Sequence, residues 1–292
     1  MHPLIQKLIR SGPVITDGAW GTELQARGLE IGQFPDAWNL SHPDRVAVVA
    51  AAYVAAGSQI ILTNTFGANR LRLGGHDLAE RVAEVNRRGV EISRQAAKGL
   101  AYVFASLGPS GKLLMTGEIS PEELQAAFDE QAAALAEAGA DAIVVESMAD
   151  LEEAKLAIKA AQATGLPVVV CMVFDSGKNK DRTMMGTTPE QVAQELTAAG
   201  ADVIGANCGQ GMAGFVPICR RLRNATACPI WIKPNAGLPQ LVEGRTVYQT
   251  TAEEFAGHIP DLIAAGANFV GGCCGASAEF IKALKLKIES KP

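Results

Sequence analysis

Short, continuously apolar runs recur along the chain, and each is followed by a longer stretch with helical periodicity. Such runs, bounded by turn residues, are typical of strands buried on both faces of a parallel sheet. The predicted strands cover 14–16, 59–62, 103–107, 142–145, 168–174, 202–206, 230–233 and 268–271. The predicted helices cover 41–56, 78–98, 120–139, 150–164, 189–199, 215–223, 252–265 and 276–287. Ser41 and Ser120, each shortly before a proline, are the expected N-caps of two of these helices.

Alternation of strand and helix through the whole chain predicts the fold class. Eight strand–helix units in 292 residues indicate an α/β protein, a (β/α)8 TIM barrel. A doubly wound open sheet is the alternative. No change of composition marks a domain boundary, so we expect a single domain over residues 1–292.

Composition narrows the classes of function. Hydrophobic residues make up 48% and charged residues 20%, which is typical of a globular protein. The net charge of -5 predicts no basic face for nucleic acid, and no apolar run is long enough to span a membrane. The N-terminus lacks a signal-peptide core, and six cysteines are too few for a disulfide scaffold. We therefore expect a cytoplasmic protein with reduced thiols.

Residues that carry chemistry follow the predicted strands one after another. In a barrel these strand ends meet at one face, where active sites are built. The residues are Asp17, the segment 63–66, Glu146, Cys208, Asn235, Cys273 and Cys274. The remaining cysteines fall inside a strand, inside a helix and at the opposite end of the barrel, so we expect them to be structural: Cys171, Cys219 and Cys228.

Three thiols from two nearby strand ends can converge on one point. Cys208, Cys273 and Cys274 with one exchangeable position would form a catalytic zinc site. None of the four histidines follows a strand, and Asn235 could supply a weak oxygen ligand or simply form a turn. The alternative for Cys273 and Cys274 is a pair of small buried hydrophobes.

A zinc ion held by three thiolates has a specific chemical use. It is a poor activator of water, but it can bind another thiol and keep it deprotonated and nucleophilic. The predicted chemistry is therefore alkyl transfer to a thiol. Asp17 and Glu146 would bind a substrate ammonium group, and backbone N–H groups near Gly18 or Phe66 a carboxylate. Taken singly, Asp17 could equally be a turn residue and Glu146 a salt-bridge partner.

Five motifs in order resemble the homocysteine S-methyltransferase family. They are Asp17-Gly18, Leu62-Thr63-Asn64-Thr65-Phe66-Gly67-Ala68, Gly205-Ala206-Asn207-Cys208, Pro234-Asn235-Ala236-Gly237 and Gly271-Gly272-Cys273-Cys274-Gly275. The resemblance covers essentially the whole chain and is greatest to the homocysteine-binding module of cobalamin-dependent methionine synthases.

The resemblance implies a zinc-dependent (β/α)8 enzyme that methylates homocysteine to methionine. It implies zinc ligation by Cys208, Cys273 and Cys274, with Asn235 as the ligand when substrate is absent. It places the homocysteine amino group at Asp17 and Glu146. The expected substrate-binding residues are Asp17, Gly18, Thr65, Phe66 and Glu146.

Departures from the family pattern leave the methyl donor open. The folate and cobalamin domains of cobalamin-dependent synthases are missing from this sequence. Ser147 stands where the betaine-using branch has tyrosine, and Gly275 where the S-methylmethionine branch usually has arginine. The donor could be a methyl-corrinoid protein, S-methylmethionine or another methyl-onium compound.

Other functions are compatible with parts of the sequence. Gly209-x-Gly211-x-x-Gly214 matches a dinucleotide-binding motif, but no acidic residue follows at the usual spacing. The glycines after the eighth strand could form a phosphate site. Lys233 could form a Schiff base in a lyase. The chain could also be a zinc- and homocysteine-binding subunit that needs a partner corrinoid protein.

Overall fold

Eight parallel strands form the centre of the protein. The computed structural model describes residues 1–242 and 245–290, so the expected domain bounds include residues 243–244 and 291–292, which lie outside the described part. The strands are β1 (Val14–Ile15), β2 (Ile60–Ile61), β3 (Tyr102–Leu107), β4 (Ala142–Met148), β5 (Val168–Met172), β6 (Val203–Gly211), β7 (Ile230–Asn235) and β8 (Ala267–Val270). Neighbours in the sheet follow chain order from β2 to β7, and β8 lies between β7 and β1. The prediction of a (β/α)8 barrel is confirmed.

The seam between β1 and β2 is closed by a few hydrogen bonds rather than by a long strand ladder. The backbone N–H of Gln59 donates to the carbonyl of Ile15 at 2.8 Å, and the Gln59 side chain accepts from the backbone N–H of Ile15 at 2.9 Å. The carboxylate of Asp17 accepts from the backbone N–H of Leu62 at 2.7 Å. Asp17 is therefore a structural part of the barrel as well as a candidate site residue.

Helices surround the barrel. They are α1 (Pro3–Ile9), α2 (Gly21–Gln25), α3 (Trp38–Ser41), α4 (Pro43–Ala56), α5 (Arg70–Gly74), α6 (Val82–Ala97), α7 (Pro121–Glu137), α8 (Leu151–Gln162), α9 (Pro189–Ala198), α10 (Met212–Ala225), α11 (Ala252–Gly257), α12 (Ile259–Ala264) and α13 (Ala278–Glu289). Helix α13 packs against α4 and so closes the outer ring. Two further short strands, Gln240–Val242 and Arg245–Val247, follow β7 and pair antiparallel. Among the described helices, none has the length and apolarity needed to cross a bilayer.

Apolar side chains from all eight strands fill the barrel interior. The rings of Phe104, Trp231 and Phe269 stack across it, with ring centroids 6.1 and 5.1 Å apart. Ile5 of α1 is fully buried in the same cluster, so the first helix packs against the interior. Because the interior is filled by packed side chains, substrate chemistry is confined to the strand ends.

Several predicted element boundaries differ from the structure for identifiable reasons. Ser120 forms the expected capping box with Glu123. Ser41 is instead the last residue of α3, and His42 precedes α4 without a side-chain cap. The predicted helix 252–265 is divided into α11 and α12, because Pro260 has no N–H to continue the helical ladder.

Candidate active site

Three cysteine thiols meet at the carboxyl end of the barrel. The Sγ atoms of Cys208 and Cys274 are 4.0 Å apart, as are those of Cys273 and Cys274. All three lie within 4.8 Å of one another, and we call them the thiol cluster. Cys208 reaches this position because β6 leaves its regular register after Asn207, where Cys208 adopts a φ of 61°. The structure thus brings together the three cysteines that the sequence singled out.

Main-chain hydrogen bonds hold the two cysteines that follow β8. The N–H of Cys273 donates to the carbonyl of Pro234 at 2.7 Å, and the carbonyl of Cys274 accepts from the N–H of Ala236 at 2.9 Å. Gly271 must be glycine, because a Cβ there would lie 2.0 Å from the Thr16 hydroxyl oxygen. The positions of these thiols are therefore fixed by neighbouring strands and do not depend on side-chain packing alone.

The thiol cluster fits a tetrahedral metal ion. Zinc–sulfur bonds of about 2.3 Å place the sulfurs of a tetrahedral site about 3.8 Å apart, close to the observed 4.0 Å. Asn235 Oδ1 is buried and has no hydrogen-bond partner among the described residues, although such an atom is costly to leave unpaired. The amide of Asn235 also contributes a hydrogen bond to Cys208. Three sulfurs and one orphaned oxygen are a donor set that zinc accepts.

Without a bound cation, hydrogen bonds among the three thiols couple their protonation. Hydrogen bonds with the Cys273 and Cys274 thiols lower the pKa of Cys208. The hydrogen bond between the Cys208 and Cys273 thiols raises the pKa of Cys273. Without a cation, three neighbouring thiolates would repel one another, so the cluster favours a single negative charge. A bound divalent cation would remove this restriction.

The other three cysteines lie elsewhere, as the sequence indicated. Cys171 is fully buried in the barrel interior. Cys219 lies on α10, and burial raises the pKa of its thiol to about 12. Cys228 precedes β7 and its sulfur lies 3.7 Å from the carbonyl oxygen of Ala201. Among the described residues, the side chains of His, Cys, Asp and Glu form one group of three or more with metal-binding spacing, and this group is the thiol cluster.

Glu146 lies at the end of β4 and lines the cavity above the thiol cluster. Its Oε1 accepts from the Ser106 hydroxyl at 2.5 Å, and its Oε2 from the Asn207 amide at 3.4 Å. Burial raises the pKa of Glu146, while the charge of Lys233 and the Ser106 hydrogen bond oppose that shift. A buried carboxylate of this kind can bind an ammonium group directly.

The carboxylate of Asp17, unlike that of Glu146, is already bound by three donors from within the protein. Its carboxylate pairs with the ammonium of Lys233 at 2.5 Å and accepts from the Trp20 indole at 2.8 Å and from Leu62. Asp17 is fully buried and is not among the residues that line the cavity. Lys233 does line it. Burial alone would lower the pKa of Lys233, but the charges of Asp17 and Glu146 outweigh it and raise that pKa. A protonated amine is not a nucleophile, which argues against the Schiff-base alternative.

A cavity of about 390 Å³ opens beside these groups. Gly18 and Phe66 line it, as expected, whereas Thr65 is fully buried and donates its hydroxyl to the carbonyl of Ser106 at 2.7 Å. The sequence did not single out several other lining residues: Trp20, Phe34, Asp36, Arg72 and Ser106. Most of these lie in segments after β1 and β2 whose sequences show neither helical nor strand periodicity. Only the length of these segments suggested a functional role.

Two glycine positions near the thiol cluster are explained by packing. Gly275 has a φ of 81°, and a Cβ there would lie 2.3 Å from the ring of Tyr248. That ring brings the phenol within hydrogen-bonding range of Cys274. Gly211 abuts Gly237, whose Cα would be 3.2 Å from a Cβ. The glycines of the dinucleotide-like motif thus serve chain packing at the end of β6.

Comparisons with known proteins agree with this arrangement. The profile of a family described as homocysteine S-methyltransferase matches residues 14–288. Methionine synthase from Mycobacterium leprae (strain TN) is 31% identical over 288 residues, and that from Mycobacterium tuberculosis (strain ATCC 25618 / H37Rv) is 32% identical over 291. Each alignment covers 92% of this chain but only 24% of the synthase, so the chain spans about a quarter of these relatives' length.

A solved structure supports the fold. The metallated form of the homocysteine methyltransferase MmuM from Escherichia coli superposes with a TM-score of 0.82, covering 98% of this chain and 100% of that chain. The two sequences are 24% identical. At this identity the likeness extends to the barrel and its connections only.

Proposed function

The chain belongs to the homocysteine S-methyltransferase family, and on this premise we propose that it is a zinc-dependent enzyme that methylates the thiol of homocysteine to give methionine. The observation that carries the proposal is the thiol cluster, whose three sulfurs lie within 4.8 Å of one another beside a cavity. The orphaned oxygen of Asn235 supports a fourth ligand position that substrate can replace. We also propose that residues 1–292 form one domain, since β1 and β8 pair directly.

Each ligand residue has a role in this proposal. Cys208, Cys273 and Cys274 would hold the zinc ion, with Asn235 as the ligand that yields to substrate. When bound, the ion supplies positive charge that keeps the homocysteine thiol deprotonated near neutral pH, although a free thiol has a pKa of about 8.5. Backbone hydrogen bonds to Pro234 and Ala236 fix Cys273 and Cys274, so these two ligands need little rearrangement when substrate enters.

Other residues would bind the amino-acid part of homocysteine. Glu146 presents a buried carboxylate to the cavity and is our candidate for the main contact to the substrate ammonium group. Asp17 does not line the cavity, so in this proposal it holds Lys233 in place beside the site. Backbone N–H groups near Gly18 and Phe66 would donate to the carboxylate. The side chains of Trp20 and Phe66 line the cavity and would limit the access of water to the reacting sulfur.

Two classes of methyl donor fit the proposal. A small methyl-onium compound could enter the cavity directly, or a corrinoid protein could deliver the methyl group. In the stricter alternative, the chain only binds zinc and homocysteine and the partner is required for turnover.

Metal content and proton release test the proposal together. We expect one zinc per purified chain, and release of a proton into a weakly buffered solution when homocysteine is added. Methionine, which has no free thiol, is the matched control and should release none. A folded, metal-free protein that does not bind homocysteine would contradict the proposal. In a separate experiment, turnover of the purified chain with homocysteine and S-methylmethionine would exclude a strict need for a corrinoid partner.

A further inference from the structure

Arg72 places a guanidinium group in the cavity, and the proposed function does not use it. Its side chain crosses Gly67, where a Cβ would lie 3.2 Å from Nε. The guanidinium carbon is 5.8 Å from the centroid of the Phe66 ring. Phe66 in turn rests on Gly108, where a Cβ would lie 2.5 Å from the ring. Packing against two glycines therefore positions both the ring and the cation that lies over it.

The surroundings of Arg72 form one side of the cavity. Phe34 also packs on Gly67, and Asp36 accepts from the Gly67 N–H at 2.9 Å. We call Phe34, Asp36, Phe66, Gly67 and Arg72 the Gly67 wall; all five line the cavity. Burial raises the pKa of Asp36 to about 7. Near neutral pH, Asp36 is therefore partly protonated, which weakens its attraction for the Arg72 guanidinium.

The guanidinium of Arg72 lacks an acceptor within the protein. Across the part of the chain that the structure describes, it makes no hydrogen bond and no ion pair within 4.0 Å. The neighbouring Arg70, on the same short helix, binds Glu130 through two nitrogens and Glu80 through one. A guanidinium carries five donors and can grip a carboxylate through two parallel bonds. Arg72 lies over the Phe66 ring, and its donors stay available for a ligand in the cavity.

We propose that Arg72 is the side chain that binds a substrate carboxylate in this cavity, and that the Gly67 wall selects for ligands carrying one. The inference rests on the proposed function, because it concerns a ligand of the same cavity. Packing over Phe66 and Gly67 restrains the guanidinium before a ligand arrives, so less entropy is lost on binding. A half-buried position also strengthens the charge-assisted bond relative to water.

Two carboxylates could occupy this position. One belongs to the acceptor, homocysteine, in addition to the backbone N–H groups proposed above. The other belongs to a small methyl donor that is itself an amino acid. Both present the same chemistry to Arg72, and paired ligands with and without the carboxylate distinguish them.

Calorimetry on the zinc-loaded chain tests the acceptor first. Homocysteine is compared with 3-aminopropane-1-thiol, which has the same thiol and amino group but no carboxylate. If Arg72 binds the acceptor, Arg72→Gln should weaken homocysteine binding about 10- to 100-fold and leave the analogue unchanged. Arg72→Lys, which keeps the charge but loses the planar fork, should restore only part of the affinity.

The donor is tested on the same zinc-loaded chain without homocysteine, so that methyl transfer does not consume the ligand during the titration. S-methylmethionine is compared with (3-aminopropyl)dimethylsulfonium, its analogue without the carboxylate. Selective loss of S-methylmethionine binding in Arg72→Gln, with homocysteine binding unchanged, would assign Arg72 to the donor. Arg70→Gln is the matched control, since it removes an arginine from the same helix but not from the cavity, and it should bind all four ligands as the wild type does.

The outcomes separate this inference from the proposed function. Equal affinities in wild type and Arg72→Gln for both carboxylate ligands would overturn the assignment of Arg72 while leaving homocysteine binding intact. Equal losses for ligands with and without a carboxylate would also overturn it, because they would indicate a general disturbance of the cavity. A wild-type chain that binds no homocysteine contradicts the proposed function and this inference together. Zinc content and circular dichroism of each variant establish that it is folded.

Discussion

The thiol cluster and the Gly67 wall meet in one cavity but are held in different ways. Cys208 lies in the irregular end of β6 and the other two cysteines follow β8, where backbone bonds to Pro234 and Ala236 fix them. The wall is built from segments that follow β1 and β2, and its side chains are positioned by packing around Gly67. Metal chemistry needs sulfur positions accurate to a fraction of an ångström, which strand ends provide. Ligand selection tolerates the looser precision of loops and can change without altering the barrel.

Removing a cluster sulfur should have the largest effect. Because three ligands are needed to hold the ion, we expect Cys208→Ala or Cys273→Ala to abolish stoichiometric zinc, measured by metal analysis after dialysis. Chelators should lower the Tm of the wild type but not of these variants. Cys219→Ala, in which a buried thiol on α10 is lost, should keep its zinc. Full zinc retention in either cluster variant would show that the sulfurs do not form the metal site.

Neutralising Glu146 should affect substrate more than metal. Glu146→Gln removes a charge-assisted contact to the substrate ammonium group, so we expect homocysteine binding to weaken by roughly 1–3 kcal/mol while zinc content stays the same. Calorimetry and metal analysis on the same preparation check both. Glu153→Gln is a suitable control, since Glu153 is also buried and bound by a serine, Ser110, but does not line the cavity. Parallel loss of zinc and homocysteine would assign Glu146 to the metal site instead.

The smallest expected effect concerns the Gly67 wall and depends on pH. Burial raises the pKa of Asp36 from 3.8 to about 7. The folded state therefore binds more protons than the unfolded state between these values, and the free energy of unfolding falls as pH rises through that window. Asp36→Asn avoids the buried charge. It should match the wild type near pH 4 and exceed it above pH 7 by on the order of 1 kcal/mol, because cavity water offsets part of the burial.

Thermal unfolding across this pH range measures the Asp36 effect. Asp129→Asn removes an exposed carboxylate and controls for the change in net charge. If the difference between Asp36→Asn and the wild type is independent of pH, Asp36 is ionised in the folded protein and its carboxylate competes for the charge of Arg72. That result would weaken the contrast between a rigid thiol cluster and a wall with an available cation.

The sequence predicted the barrel and the thiol cluster because both depend on local patterns. Continuous apolar runs identify buried strands, and the cysteines come immediately after two of them. Pairing in the barrel then brings those strand ends together without further information. Glu146 could be predicted in the same way, since it directly follows the apolar run of β4.

The Gly67 wall could not be predicted in this way. Phe34 and Asp36 lie in a long segment without helical or strand periodicity. Their burial depends on residues distant in sequence: Phe34 packs against Gly67 and His76, and Asp36 accepts from the Gly67 N–H. The pairing of Asp17 with Lys233 joins residues 216 positions apart, and neither position indicates the other. Asp17 was expected to face substrate; its carboxylate instead carries three donors from within the protein.

The pairing of β1 with β8 has a consequence for how the protein is made. Synthesis proceeds from the N-terminus, and Cys208 is the first of the three cluster thiols to be added. Cys273 and Cys274 follow only after residue 272 of 292, and their strand must then insert between β7 and β1. A nascent or truncated barrel thus offers one cluster thiol, too few to retain an ion. Metal capture can therefore report that the last strand has docked.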